Sequence, residues 1–183
     1  GADLELLRGE ARGRSGRASF SLQYRWYDGF DAVHHAWAGW DAGADAHLRA
    51  GVQQVPFGLL PYASHSFWFG SGYYLGLEDD YDLGVVWQHG AGAHRWHVGW
   101  FSGDEYGDGG RFDRYSFDVA TTEALPYRER GRVALRYEFS EESEHHGLAA
   151  GVSVSSGRIE NRMDGRRHDH DAAAVHVQYR RGA

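Results

Sequence analysis

The sequence predicts an all-β chain of about nine antiparallel strands in one domain spanning residues 1–183. Three observations carry this expectation. Apolar and polar residues alternate with period two through most of the chain, the mark of strands with two unlike faces. The segments run to about ten residues, whereas strands of soluble sandwiches more often have five or six. Short and long connections alternate along the chain, as an up-and-down barrel with brief turns at one end requires. Together they point to a transmembrane β-barrel, whose lipid face uses every second residue and so escapes hydropathy scans. No apolar run reaches the roughly 18–20 residues that a transmembrane helix needs.

Leu4 to Arg12 reads as a strand with poor alternation or as a short helix. From Arg17 to Tyr27, Phe20, Leu22, Tyr24 and Trp26 share one side, opposite Ser19, Ser21, Gln23 and Arg25. Val33 to Asp41 reads as a strand without an assignable facing. Leu48, Ala50 and Val52 oppose Arg49, Gly51 and Gln53, and the strand is stopped by Pro56, which has no N–H to give a ladder. Leu83, Val85 and Trp87 start the next strand, followed by His94–Ser102 with Trp96, Val98 and Trp100 on its apolar side. Val133, Leu135, Tyr137 and Phe139 oppose Arg132, Arg136 and Glu138. Leu148 to Val154 and Ala173 to Tyr179 complete the set. The joins are expected to be short (Gly13–Gly16), medium (Asp28–Ala32), short (Ala42–Asp45), long (Pro56–Tyr81), short (Gly90–Ala93), long (Gly103–Arg130), short (Ser140–His146) and long (Gly157–His170).

Composition narrows the function classes. Nineteen basic residues, all of them Arg, stand against twenty-six acids for a net charge of −7, which argues against a nucleic-acid partner. Cysteine is absent, so there is no disulfide framework and no thiolate metal site. Aromatics make up 15% of residues, including seven Trp and eleven Tyr, the types that form girdles where a barrel meets lipid headgroups. Nine is an odd strand number, whereas bacterial single-chain barrels are even, and Tyr179-Arg180-Arg181-Gly182-Ala183 lacks the terminal aromatic of a closing strand. With no initiating Met or signal peptide, the chain reads as a mature form or an excised piece of a larger barrel.

If the apolar faces meet lipid, the water-filled pore is lined by Gln23, Arg25, Arg49, Gln53, Arg95, His97, Arg132, Arg136, Glu138, His176, Gln178 and Arg180. A one-residue slip of Gly131–Phe139 would place two Arg and a Glu in hydrocarbon, at about 2–4 kcal/mol per Arg at mid-membrane. Arg ladders facing water would favour anion passage, or else be solvated wall residues without selectivity. The long glycine- and aromatic-rich stretch after Pro56 is the expected constriction loop, represented by Pro56, Phe57, His65, Trp68, Tyr73, Glu78, Asp79, Asp80 and Asp82. Its acids do not follow calcium-loop spacing and are expected to anchor the loop by pairing with the arginines. Phe67, Trp68, Phe69, Tyr73 and Tyr74 either pack the loop against the wall or form a stacking surface for sugars. The twelve His show no zinc motif, Gly70-Ser71-Gly72 misses the dinucleotide fingerprint, and no GxSxG elbow occurs. No catalytic residue, cofactor or metal is therefore expected.

Val55-Pro56-Phe57-Gly58, preceded by the Arg- and Gly-containing strand Leu48–Val55, resembles the corner of the phosphate-selective (O and P type) porin family of Gram-negative outer membranes. The resemblance continues through Gly76–Gly84, then Gly99-Trp100-Phe101-Ser102-Gly103, and more weakly into Gly151-Val152-Ser153. It implies a sixteen-stranded homotrimeric barrel, of which this chain would be about half a protomer, and passive diffusion of small hydrophilic solutes, anions among them. Family members selective for phosphate line the pore with Lys and Arg; this chain has no Lys and sets four acids beside its longest loop. The expected partners are membrane lipid and small solutes. The alternative is a soluble all-β carbohydrate-binding module.

Overall fold

The computed structural model describes residues 5–60, 77, 79–104, 126–143 and 146–181. The described residues form one sheet of nine antiparallel strands in sequence order: β1 (Leu6–Ser15), β2 (Ala18–Tyr27), β3 (Phe30–Asp41), β4 (Ala46–Gln54), β5 (Tyr81–Ala91), β6 (His94–Asp104), β7 (Tyr127–Glu142), β8 (His146–Asn161) and β9 (Arg167–Arg181). The all-β, up-and-down reading stands. The sheet is open: β1 and β9 are its edges and do not pair with each other.

Several boundaries differ from the sequence reading. The first segment is a strand, so the helix alternative is wrong there. The medium join at Asp28–Ala32 shrinks to the two-residue turn Asp28-Gly29. The long join at Gly157–His170 shrinks to residues 162–166, because β8 and β9 run on to Asn161 and back from Arg167. β7 likewise begins at Tyr127, shortening the join before it. These extensions carry charges where apolar residues were sought. Glu160 accepts hydrogen bonds from Arg128 (2.8 Å), Arg130 (2.9 and 3.0 Å) and Arg167 (3.1 Å), tying the ends of three strands together. Long joins therefore remain only after β4 and β6, and the strict short–long alternation does not hold.

The facing of β3, unreadable in sequence, follows from a register shift between Gln23 and Tyr24, where an extra residue in β3 breaks its alternation. Beyond it Trp37, Gly39 and Asp41 lie with Ser19, Ser21, Arg49 and Gly51, while Trp40 points to the other side and is 51% exposed.

The two faces of the sheet differ sharply. On the apolar face Phe20, Trp96, Leu135 and Val175 are 50%, 48%, 45% and 78% exposed, so they do not converge on a dry interior. The small buried core lies on the opposite, charged face, where Val86, Phe101 and Ala134 pack with Val55 and Phe57 from the segment after β4.

Candidate functional site

The segment after β4 turns onto the charged face immediately. Pro56 cannot continue the ladder, and the Phe57 N–H bonds back to the Val55 carbonyl at 2.9 Å, closing a tight turn around Pro56. Gly99 of β6 makes room for it: a Cβ there would lie 3.4 Å from Pro56 Cδ and 2.6 Å from the Phe101 ring. Two residues on, the Gly58 N–H donates to Ser153 Oγ of β8 at 3.0 Å, and the Gly58 carbonyl accepts from Arg136 Nε of β7 at 2.9 Å. The segment thus starts at the end of β4 and reaches β7 and β8, which lie three and four strands away in the sheet. Its return meets its start, because the Val55 N–H donates to the Asp80 carbonyl at 2.9 Å. Asp79, just before, takes the left-handed conformation at φ 56°.

Beside this neck lies a buried ion cluster. Arg132 Nη1 donates to Asp80 Oδ2 at 2.5 Å, Arg132 Nε donates to Glu129 Oε1 at 2.9 Å, and Asp82 Oδ2 stands 4.0 Å from Nη2. All four side chains are at most 1% exposed. Glu129 and Arg132 are three apart and would oppose each other in a regular strand. A bulge between them, with Gly131 at φ 117°, brings both to the charged face. The carboxylate oxygens of Asp80, Asp82 and Glu129 approach within 4.8 Å of one another, the one three-residue group of metal-ligand types among the described residues. The Arg132 guanidinium stands among them as their counter-cation.

A second group continues along β7. Arg136 donates to Glu138, which also approaches His176 Nε2 (3.3 Å) and, more distantly, Arg95 (3.9 Å). On β4, Gln53 Nε2 donates to the carbonyls of Arg49 (3.2 Å) and Gly84 (3.1 Å), and Arg49 lies 5.3 Å over the Trp37 ring.

The strand registers put all twelve predicted lining residues on this one face: Gln23, Arg25, Arg49, Gln53, Arg95, His97, Arg132, Arg136, Glu138, His176, Gln178 and Arg180. Their surroundings differ. Arg132 and Arg136 are almost fully buried in ion pairs, whereas Arg95 and Arg180 remain 57% and 72% exposed. Of the predicted loop residues, Pro56 and Phe57 lie on the charged face, Asp79 and Asp80 form the neck, and Asp82 belongs to β5. His65, Trp68, Tyr73 and Glu78 lie outside the described residues, as do the aromatics at 67, 69 and 74. Sequence reasoning missed Arg8, Glu10, Arg12 and Arg14, which register places on the same face opposite Arg25, Gln23, Ser21 and Ser19. The signal was present in the polar residues, which recur at every second position, while Gly9, Ala11 and Gly13 gave no apolar counterpart.

The apolar face is ordered along the strands. Toward the end of the sheet that carries the turns after β1, β3, β5 and β7, the outward side chains are mostly aromatic: Phe20, Trp40, Trp87, Trp96, Phe139 and Tyr179. Farther along come Leu22, Ala50, Val98, Leu135, Val152 and Val175, and near the opposite ends Trp26 and Trp100. No family model, curated protein or solved structure matches the chain. The assignment of function therefore rests on these two faces and the segment that crosses one of them.

Proposed function

We propose that this chain is part of an outer-membrane diffusion channel of a Gram-negative bacterium, with the apolar face against lipid and the charged face lining a water-filled bore. The observation that carries the reading is the aromatic-framed apolar face, exposed on every strand from β2 to β9. Soluble monomers rarely expose contiguous apolar patches beyond a few hundred Å². Aromatic side chains at both margins and aliphatic ones between them match the depth profile of a bilayer. A soluble carbohydrate-binding module would need a second layer to cover these side chains, and the described residues supply one sheet.

Hydrocarbon leaves no unpaired sheet edge, so in this reading β1 and β9 pair with further strands of a larger, closed barrel. Residues 55–60 and 79–80 then lie inside the bore and narrow it. Arg8, Arg12, Arg25, Arg49 and Arg95 on the bore side favour small anions, phosphate-like ones included, although Glu10, Asp82 and Glu138 temper the preference. A homotrimer, as in the porins it resembles, is part of the same proposal. The test is conductance of the full-length protein in planar bilayers, with the reversal potential in a salt gradient reporting charge preference. A protein that stays monodisperse without detergent and forms no channels would refute the reading.

A further inference from the structure

We propose that Arg132 is the positioning residue that holds the two ends of the segment after β4, residues 55–60 and 79–80, on the charged face, gripping their neck through Asp80. Its effect on the bore rests on the channel reading above; its grip on the segment does not.

The argument starts from cost. Bringing a guanidinium and several carboxylates out of water carries a penalty of several kcal/mol per ion, and well-packed apolar residues often replace such groups without loss of stability. In some proteins such a cluster specifies where parts go more than it stabilises them. Here the sequence commits a bulge to it: without the extra residue at Gly131, Glu129 would face the apolar side and Arg132 would lose its bidentate partner. Glu129 orients the guanidinium on its own strand, and the remaining nitrogen reaches Asp80. Asp80 is also the residue whose carbonyl accepts from Val55, so one contact fixes both ends of the segment. Arg136, four residues along β7 and on the same face, binds the Gly58 carbonyl. Two arginines that the sequence placed among the solute-facing residues thus act on the protein's own chain, through a carboxylate and a carbonyl respectively.

The chain has no cysteine, which makes accessibility a clean readout. Ser155 of β8 is 5% exposed and stands in register with Ala134, which is buried with Val55 and Phe57. In the full-length protein, Ser155→Cys should react slowly with a charged, water-soluble methanethiosulfonate. Adding Arg132→Gln, which leaves buried carboxylates without their counter-cation, or separately Asp80→Asn, which removes the neck's own ion pair to Arg132, should speed labelling at least about tenfold. Arg132→Lys, which keeps the charge, should return most of the protection. Ala149→Cys, on the same face of β8 but away from that core, should label at an unchanged rate. Unchanged labelling of Ser155→Cys in both variants overturns the proposal. Equal acceleration at Ala149→Cys also overturns it, because Arg132 would then be supporting the sheet as a whole. Bilayer recordings separate the two readings. Faster labelling in variants that never conduct sinks the channel and leaves the positioning role, whereas normal conductance with unchanged labelling does the reverse. Faster labelling together with higher open-channel conductance supports both.

Discussion

Replacing Leu135 by Arg tests the membrane reading at a single side chain. Leu135 lies near the middle of β7, eight residues from Tyr127 and seven from Glu142, with Val98 and Val154 as its cross-strand neighbours. It is 45% exposed, so the new side chain meets no packed core on that side. If the surrounding medium is water, the substitution exchanges one exposed side chain for another, and surface changes of that kind usually stay within about 0.5 kcal/mol. If the medium is lipid, the guanidinium sits near the bilayer midplane, where Arg on a barrel's outer face costs about 2–4 kcal/mol. The two expectations do not overlap. Met163, 75% exposed in the turn between β8 and β9, supplies the control, and Met163→Arg should be silent in either medium. The assay is reversible denaturant unfolding of the full-length protein refolded into phospholipid vesicles, followed by tryptophan fluorescence. A change below about 0.5 kcal/mol for Leu135→Arg would refute the assignment of this face to lipid.

Single-tryptophan variants retaining Trp96 or Trp37 should separate the faces directly: brominated lipid should quench most of the Trp96 emission and leave Trp37, on the charged face, largely unquenched. Arg132→Gln should cost about 3–5 kcal/mol in the same unfolding assay, because it leaves the buried carboxylates of Asp80, Asp82 and Glu129 without the cation they share. Glu142→Gln should be silent, since Glu142 and its partner Arg180 are 70% and 72% exposed and already solvated. Gly99→Val should displace Pro56 and the Phe101 ring and destabilise by about 1–3 kcal/mol, and Pro56→Ala in the same chain should relieve part of that loss.

Where the sequence was legible, it was because one face of each strand carried large apolar residues. Trp96-Val98-Trp100 and Val133-Leu135-Tyr137 fixed strand and facing together, since a slip by one residue would invert every side chain, and the structure pairs the two runs directly. Legibility ended where that contrast ended. β1 has Gly9, Ala11 and Gly13 at the outward positions, so its alternation is carried by Arg8, Glu10, Arg12 and Arg14 and reads as polar sequence. The outer four or five residues of β7, β8 and β9 read as loop because charged side chains occupy both faces there, yet Glu160 knits them into strand with three arginines. In β3 a bulge shifted the period part-way along, which no fixed-period reading follows.

The site was legible in kind but not in pairing. Four acids next to a loop, and arginines at every second position of the strands, already suggested that the acids hold the loop. Which acid meets which arginine is set by a contact between residues fifty-two apart, Asp80 and Arg132, and by a bulge that turns Glu129 to the same side. Neither is a property of a local window. The same geometry divides arginines that are indistinguishable in sequence. Arg132 and Arg136 are consumed by the chain itself, while Arg95 stays 57% exposed with its nearest carboxylate at 3.9 Å. If a bore runs along this face, its charge preference is therefore set by Arg95 and the arginines of β1 to β4, and exchanging Arg95 should move the reversal potential more than exchanging Arg136.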